Sequence, residues 1–338
     1  MSVTTPILKP RRYHNIGRRI TIAPIFFFII IATVWAAFNR QFITDQITVW
    51  QYDMPPAVEE LADDSGMNNH GKFLFHASRP ELNDREEFNK NCTMREQQAI
   101  VLGCYVARRI YIFDVTDERV KGVRTVTAAH EMLHAAYERL DARERKELNK
   151  ILEKQLAQTT DQELLDIVKL YTEAEPGQEL NELHSLFATN LADLLSELEN
   201  YYKKYFTDRG RVVAVYQKYH EVFTSLNTRA KELSNSLNDQ NAAIAAATLQ
   251  HERDMKQLAS DVSEFNRCAQ IMNCFASHAA FDRARAALIV RQNNLQNMAD
   301  QINAQIEQYN INVAELNALG IEVQKLNQSI DSHAPMIE

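Results

Sequence analysis

Glycine and proline are scarce in this chain, eight of each in 338 residues, and it contains no Gly-rich phosphate loop. Alanine, leucine, glutamine, asparagine, glutamate and lysine dominate its second half, a mixture that favours helix over strand. Basic residues are in the minority: 37 Lys and Arg stand against 45 Asp and Glu, for a net charge of -8. The first forty residues hold only positive groups (Lys9, Arg11, Arg12, Arg18, Arg19 and Arg40), so the remainder is more acidic still. That balance argues against nucleic acid as a partner. Cysteine is also rare, four in all, and none has the CxxC spacing of a zinc ribbon or a thioredoxin-like redox site. Neither a Ser-His-Asp order nor a basic aromatic patch is present.

One long hydrophobic run is present. Ile20 to Phe38 carries no charge, and at about 1.5 Å per residue it reaches across most of a bilayer's hydrocarbon core. It predicts a transmembrane helix, with a cleaved signal peptide as the alternative because small residues follow Val34-Trp35. Five Lys or Arg precede it and only Arg40 follows closely, which places residues 1–19 in the cytoplasm as a basic tail and the rest outside. Cys92 and Cys104 flank one short segment, and Cys268 and Cys274 flank another. Two local disulfides suit that outside location.

Residues 39–54 read as a connector, and residues 55–210 as a mostly α, α+β unit with a short sheet. Pro55-Pro56, acidic residues and then Gly66 predict a short helix with a glycine stop. Gly71 to Ser78 and Cys104 to Val115 read as strands, the latter rich in β-branched and aromatic residues. Helices are expected at about 85–101, 123–140, 141–157 and 160–172, and again from Glu179. Beyond Gly210 a heptad seam runs through Phe223, Leu226, Ala230, Leu233, Leu237, Gln240 and Ile244, slips near Thr248, and resumes at Met255, Leu258, Val262 and Phe265. A second seam runs from Leu288 to Ile330. Residues 211–331 are therefore expected to form an antiparallel coiled-coil hairpin, an arm roughly 70 to 80 Å long with Cys268 and Cys274 at its turn. Such an arm can bury only its own stripes or bind a protein partner.

The segment TAAHEMLHAAYERL, residues 127–140, carries the chemistry. On a helix, His130 and His134 are four residues apart and share a face, so both imidazoles can reach one ion. Glu131 lies about 100° around, able to reach a water on that ion without being a ligand. A zinc ion would polarise such a water, and Glu131 as general base would take its proton during attack on a carbonyl. Thr125 to Tyr137 contains no charge except Glu131, and a metal offsets the cost of burying that carboxylate. A catalytic zinc needs a third protein ligand, and Glu179, Glu182 and His184 are the candidates downstream.

Here the chain resembles the gluzincin-type zinc metallopeptidases, in which HExxH on one helix is completed by a Glu from a later helix, often preceded by Asn. Asn181-Glu182 matches that pair. The resemblance implies His130, His134 and Glu182 as zinc ligands, Glu131 as the base, and a peptide or protein substrate. It covers those two helices and at most the strand ahead of them, not the whole chain. Leu186 stands where the thermolysin group commonly has an Asp that orients a zinc-bound His, so another group must hold the imidazole. His184, Tyr201 or Tyr202 are candidates for stabilising an oxyanion; in the resembled clan a sheet edge strand pairs with substrate, a role open to Arg109 to Val115, whose place in the sheet the sequence does not give. The reading is a single-pass, membrane-anchored, extracytoplasmic zinc peptidase. The alternative is a surface coiled-coil interaction protein with a structural or degenerate zinc site.

Overall fold

A computed structural model describes residues 1–2, 16–92, 102–174 and 177–333. They fall into two compact units: Met1–Gln98, Gly103–Ile112 and Thr125–Val213 form the first, and Ala99–Leu102, Phe113–Arg124 and Ala214–Glu338 the second. The chain is mostly helical, with one three-stranded sheet among the described residues.

The first unit opens with α1 (Ile16–Phe38) and α2 (Arg40–Gln51). The 20–38 run lies in α1. Among the described residues no single helix is long and apolar enough to cross a membrane; Phe26–Phe38 and α2 reach that measure only together, and they are bent by 80°. The connector expected at 39–54 is largely the ordered helix α2. Asp45 and Thr48 on its inner face are buried.

Helix α3 (Pro56–Asp64) ends as the Pro and Gly signals require: Gly66 takes φ 77°, and a Cβ there would lie 2.2 Å from the Asp208 carbonyl oxygen. The strand expected at 71–78 is instead helix α4 (Asn69–Ala77). Asn68 caps it by accepting from the His70 and Gly71 amides, and the buried Gly71, Leu74, Phe75 and Ser78 follow the helical i, i+3, i+4, i+7 period. Aromatic content suggested a strand, but the cap and the period decide for helix. Next come β1 (Glu81–Asn83) and α5 (Arg85–Asn91); the rest of the helix expected to 101 lies outside the described residues apart from Cys92.

The strand expected over 104–115 is two strands, β2 (Gly103–Val106) and β3 (Arg109–Phe113), antiparallel, with Val106 opposite Arg109. Ala107 and Arg108 make the two-residue turn with φ 50° and 64°, the left-handed pair of a type I′ hairpin. In the sheet order β1-β3-β2, β3 is central and β2 lies at an edge among the described residues, so the strand that begins at Arg109 is not an edge strand. The Cys92–Cys104 disulfide holds β2.

Helix α6 (Val123–Glu138) follows, buried on nearly every side. Helix α7 (Ala142–Leu156) starts at a reciprocal capping box between Asp141 and Glu144. Then come α8 (Gln162–Ala174), α9 (Glu179–Asn190) and α10 (Ser196–Tyr202), with α7 and α8 packed on α9.

The second unit is dominated by α11 (Gly210–Ala269) and α12 (His278–Ile330), joined by a turn that the Cys268–Cys274 disulfide closes. The slip expected near Thr248 is absent. Partly or fully buried positions alternate by three and four from Ile244 through Ala247, His251, Asp254, Leu258, Asp261 and Phe265, leaving Met255 and Val262 outside the seam. Polar residues hide this continuity from the sequence, because each finds a partner: His251 Nε2 sits 3.2 Å from the Leu295 carbonyl oxygen, Asp254 accepts from Gln250, and Asp261 pairs with Arg291. Asn312 donates to Gln240 across the hairpin, 3.1 Å, fixing its register.

Candidate metal centre

Two helices of the first unit build the centre. His130 and His134 project from α6 with ring centroids 4.7 Å apart, and α9 brings Glu182 to them. His130 Nε2 lies 3.4 Å from Glu182 Oε2, and His134 Nε2 lies 3.4 Å from Glu182 Oε1. One ligand atom from each of the three lies within 4.8 Å of the others, so the group can hold a metal ion. His134 and Glu182 are buried and His130 is half-buried.

Packing fixes α9 in place. Arg209 donates to the carbonyls of Ala188, Leu191 and Ala192, satisfying the end of α9, and pairs with Glu199. Tyr202 on α10 donates to the His184 carbonyl, 2.6 Å. Burial pushes the Glu182 carboxyl up, but the charges of His134 and His130 outweigh it and hold the group below the usual carboxylate range. Glu182 Oε2 is buried with no hydrogen-bond partner, and so is His134 Nδ1. A cation bound by the triad would satisfy the first.

Glu131 is buried, and burial above all pushes its carboxyl from 4.5 to about 8, with Glu182 adding to the rise and His134 opposing it. Its carboxylate rests on the edge strand. A Cβ on Gly103 would lie 2.8 Å from Glu131 Oε1 and 2.4 Å from Thr127 Cγ2, so only glycine lets β2 approach the base this closely.

The other candidates point elsewhere. Glu179 accepts from the Gly177 amide at the start of α9 and is not in the triad. His184 is fully buried among Tyr137, Tyr201, Tyr202 and Tyr205, and its ring is pushed down to about 3 by burial and by the charges of His134 and His130. Tyr201 and Tyr205 share a hydroxyl–hydroxyl bond of 3.1 Å, and the Tyr202 hydroxyl is taken by His184.

Two features had no sequence signal. Gly103 has no pattern of its own. Arg139, just past α6, grips Asp45 of α2 through two 2.9 Å bonds and also reaches Tyr105 of β2 at 3.2 Å. Comparison with protein-family models, curated proteins and solved structures finds no match, so the likeness to gluzincins rests on the His130-His134-Glu182 triad alone.

Proposed function

We propose that the chain is a membrane-anchored, extracytoplasmic zinc peptidase that hydrolyses peptide bonds. The observation that carries this reading is the convergence of His130, His134 and Glu182 with a buried, non-ligating Glu131 on the same helix. Two nitrogens and a carboxylate oxygen are the donor set of a catalytic zinc with one position open. His130, His134 and Glu182 each bring one donor atom within 4.8 Å of the others, close enough that all three would hold one ion.

Zinc, when bound, supplies Lewis acidity toward a carbonyl and its attacking water. The residues do the rest. His130, His134 and Glu182 fix the ion's position. Glu131 takes a proton from the water as its oxygen bonds to the carbonyl carbon, and returns it to the leaving amine as the C–N bond breaks. In this reading β2, an edge strand among the described residues and lying against Glu131, pairs with an extended substrate.

The 23-residue α1, about 34 Å long, supports an anchor, with Phe26 to Ile31 exposed along it. Two disulfides support an oxidising location.

The test is zinc content and peptide hydrolysis of the full chain. One zinc per chain is expected, lost in Glu182→Ala and retained in Glu179→Ala. Hydrolysis should vanish in Glu131→Gln while zinc stays. Absence of zinc from the parent protein after reconstitution would sink the reading. Zinc without hydrolysis of any peptide in a broad library would favour the coiled-coil interaction protein instead.

A further inference from the structure

Most of the outer face of α2 is apolar and solvent-facing among the described residues, with Gln46 within it and the Phe42 ring beside Phe73 of α4, 6.1 Å between centroids. At about 100° per residue, Phe42, Trp50, Ile43 and Ile47 fall in one arc of about 140°, opposite the buried Asp45 and Thr48. Trp50 is 81% exposed, Phe42 53% and Ile47 45%. Arg40, Thr44 and Gln51 border the arc on one side. This helix follows α1 after a single residue and turns from its axis by 80°.

We infer that α2 lies in the membrane–water interface, its Phe42, Ile43, Ile47 and Trp50 side chains inserted among the lipid headgroups and upper acyl chains. The inference rests on the anchor part of the proposed function. If α1 stands within about 20° of the bilayer normal, as membrane helices do on average, a bend of 80° lays α2 within about 30° of the bilayer plane. An amphipathic helix in that orientation buries its apolar face about 5–10 Å deep, and tryptophan is the side chain most at home there. The inner face rules out a deeper position: Asp45 is held by Arg139 of the folded unit, so α2 cannot enter the hydrocarbon without breaking that pair.

This seating also sets where the metal centre sits. Arg139 is five residues beyond His134, about 7.5 Å along the helix, and one interhelical spacing of about 8–10 Å separates it from α2. The centre then stands within about 20 Å of the bilayer surface. The substrates it fits are polypeptide segments close to the membrane.

The chain has only two tryptophans, one on each helix, Trp35 on α1 and Trp50 on α2. Both are exposed, so each can be replaced without disturbing the core. The full-length Trp35→Phe and Trp50→Phe variants are placed in phosphatidylcholine vesicles with lipids spin-labelled at shallow or deep acyl positions, and acrylamide is added to the water. Trp50 in Trp35→Phe should be quenched several-fold more by the shallow label than by the deep one, and poorly by acrylamide. Trp35 in Trp50→Phe should be quenched by the deep label. Free acrylamide access to Trp50, while Trp35 stays deep, overturns the interfacial seat and leaves the anchor standing. Strongest quenching of Trp50 by the deep label overturns it in favour of a bent pair that crosses together. Trp50 shielded from acrylamide but untouched by either lipid label overturns it in favour of a protein partner. Trp35 untouched by lipid label removes the anchor itself.

Discussion

Glu131→Gln should stabilise the metal-free chain, and by an amount that depends on pH. The carboxyl has a value of about 8 in the folded chain against 4.5 for the free group. Below 4.5 it is protonated in both the folded and unfolded states and costs nothing extra. Between 4.5 and 8 the unfolded chain ionises while the folded chain keeps its proton, so the stability present at low pH is lost as pH rises through that window. Linkage makes the loss about 1 kcal/mol at pH 5 and about 4 kcal/mol at pH 8, rising to about 5 kcal/mol beyond it. Glutamine has nothing to ionise. In urea unfolding with chelator present, followed by Trp50 emission from detergent-solubilised protein, the variant should match the parent within about 1 kcal/mol at pH 5 and exceed it by several at pH 8. Zinc should then stabilise both proteins, about 2.7 kcal/mol at a hundred times Kd, because Glu131 is not a ligand. Identical pH dependence in the two chelated proteins would refute the reasoning, since it would mean that the Glu131 carboxylate is solvated in the folded chain.

Gly103→Ala forces Thr127 Cγ2 and the Glu131 carboxylate to move. It should cost about 1–3 kcal/mol of stability, and hydrolysis should fall by tenfold or more at unchanged zinc content, measured together on one preparation. Asp45→Ala leaves the Arg139 guanidinium without its carboxylate and should cost about 3–5 kcal/mol by urea unfolding; a cost below about 1 kcal/mol would show that solvent reaches the pair. His184→Phe should retain zinc, because that ring lies among tyrosines outside the triad, and loss of metal would restore it as a ligand candidate. Replacing Gln240 and Asn312 together by leucine should raise the melting temperature of the arm in far-ultraviolet circular dichroism while weakening its register.

What the sequence showed of the site was local: four-residue histidine spacing on a helix free of other charges, and a downstream Asn-Glu pair. Helical spacing by itself does not separate Glu182 from Glu179, which lie on one face a turn apart; the Asn181-Glu182 pair does so only through the resemblance. Only the fold of the chain at Gly177 turns the Glu179 carboxylate to a backbone amide. The long helices were legible for the same reason as the histidines, since heptads are short-range patterns. Their continuity past Thr248 was not, because polar residues at seam positions look like breaks until the partners from the facing helix are known.

The misread strand over 104–115 is more instructive, because the error falls where the centre needs its backbone wall. A tight hairpin normally announces itself with Asn-Gly or Asp-Gly; here Ala107 and Arg108 adopt the left-handed conformation, about 1–2 kcal/mol each against the usual preference. Tertiary contacts hold them there. Cys104 is tied to Cys92, and Tyr105 is bound to Arg139, which in turn grips α2. The turn that propensity disfavours therefore folds β2 back along β3 and sets Gly103 against Glu131. Turning Ala107-Arg108 into Asn-Gly should relieve the strain and stabilise the first unit by about 1–3 kcal/mol with hydrolysis unchanged. A gain in stability accompanied by loss of activity would mean that the strained turn itself, and not merely the register it enforces, positions the edge strand against the base.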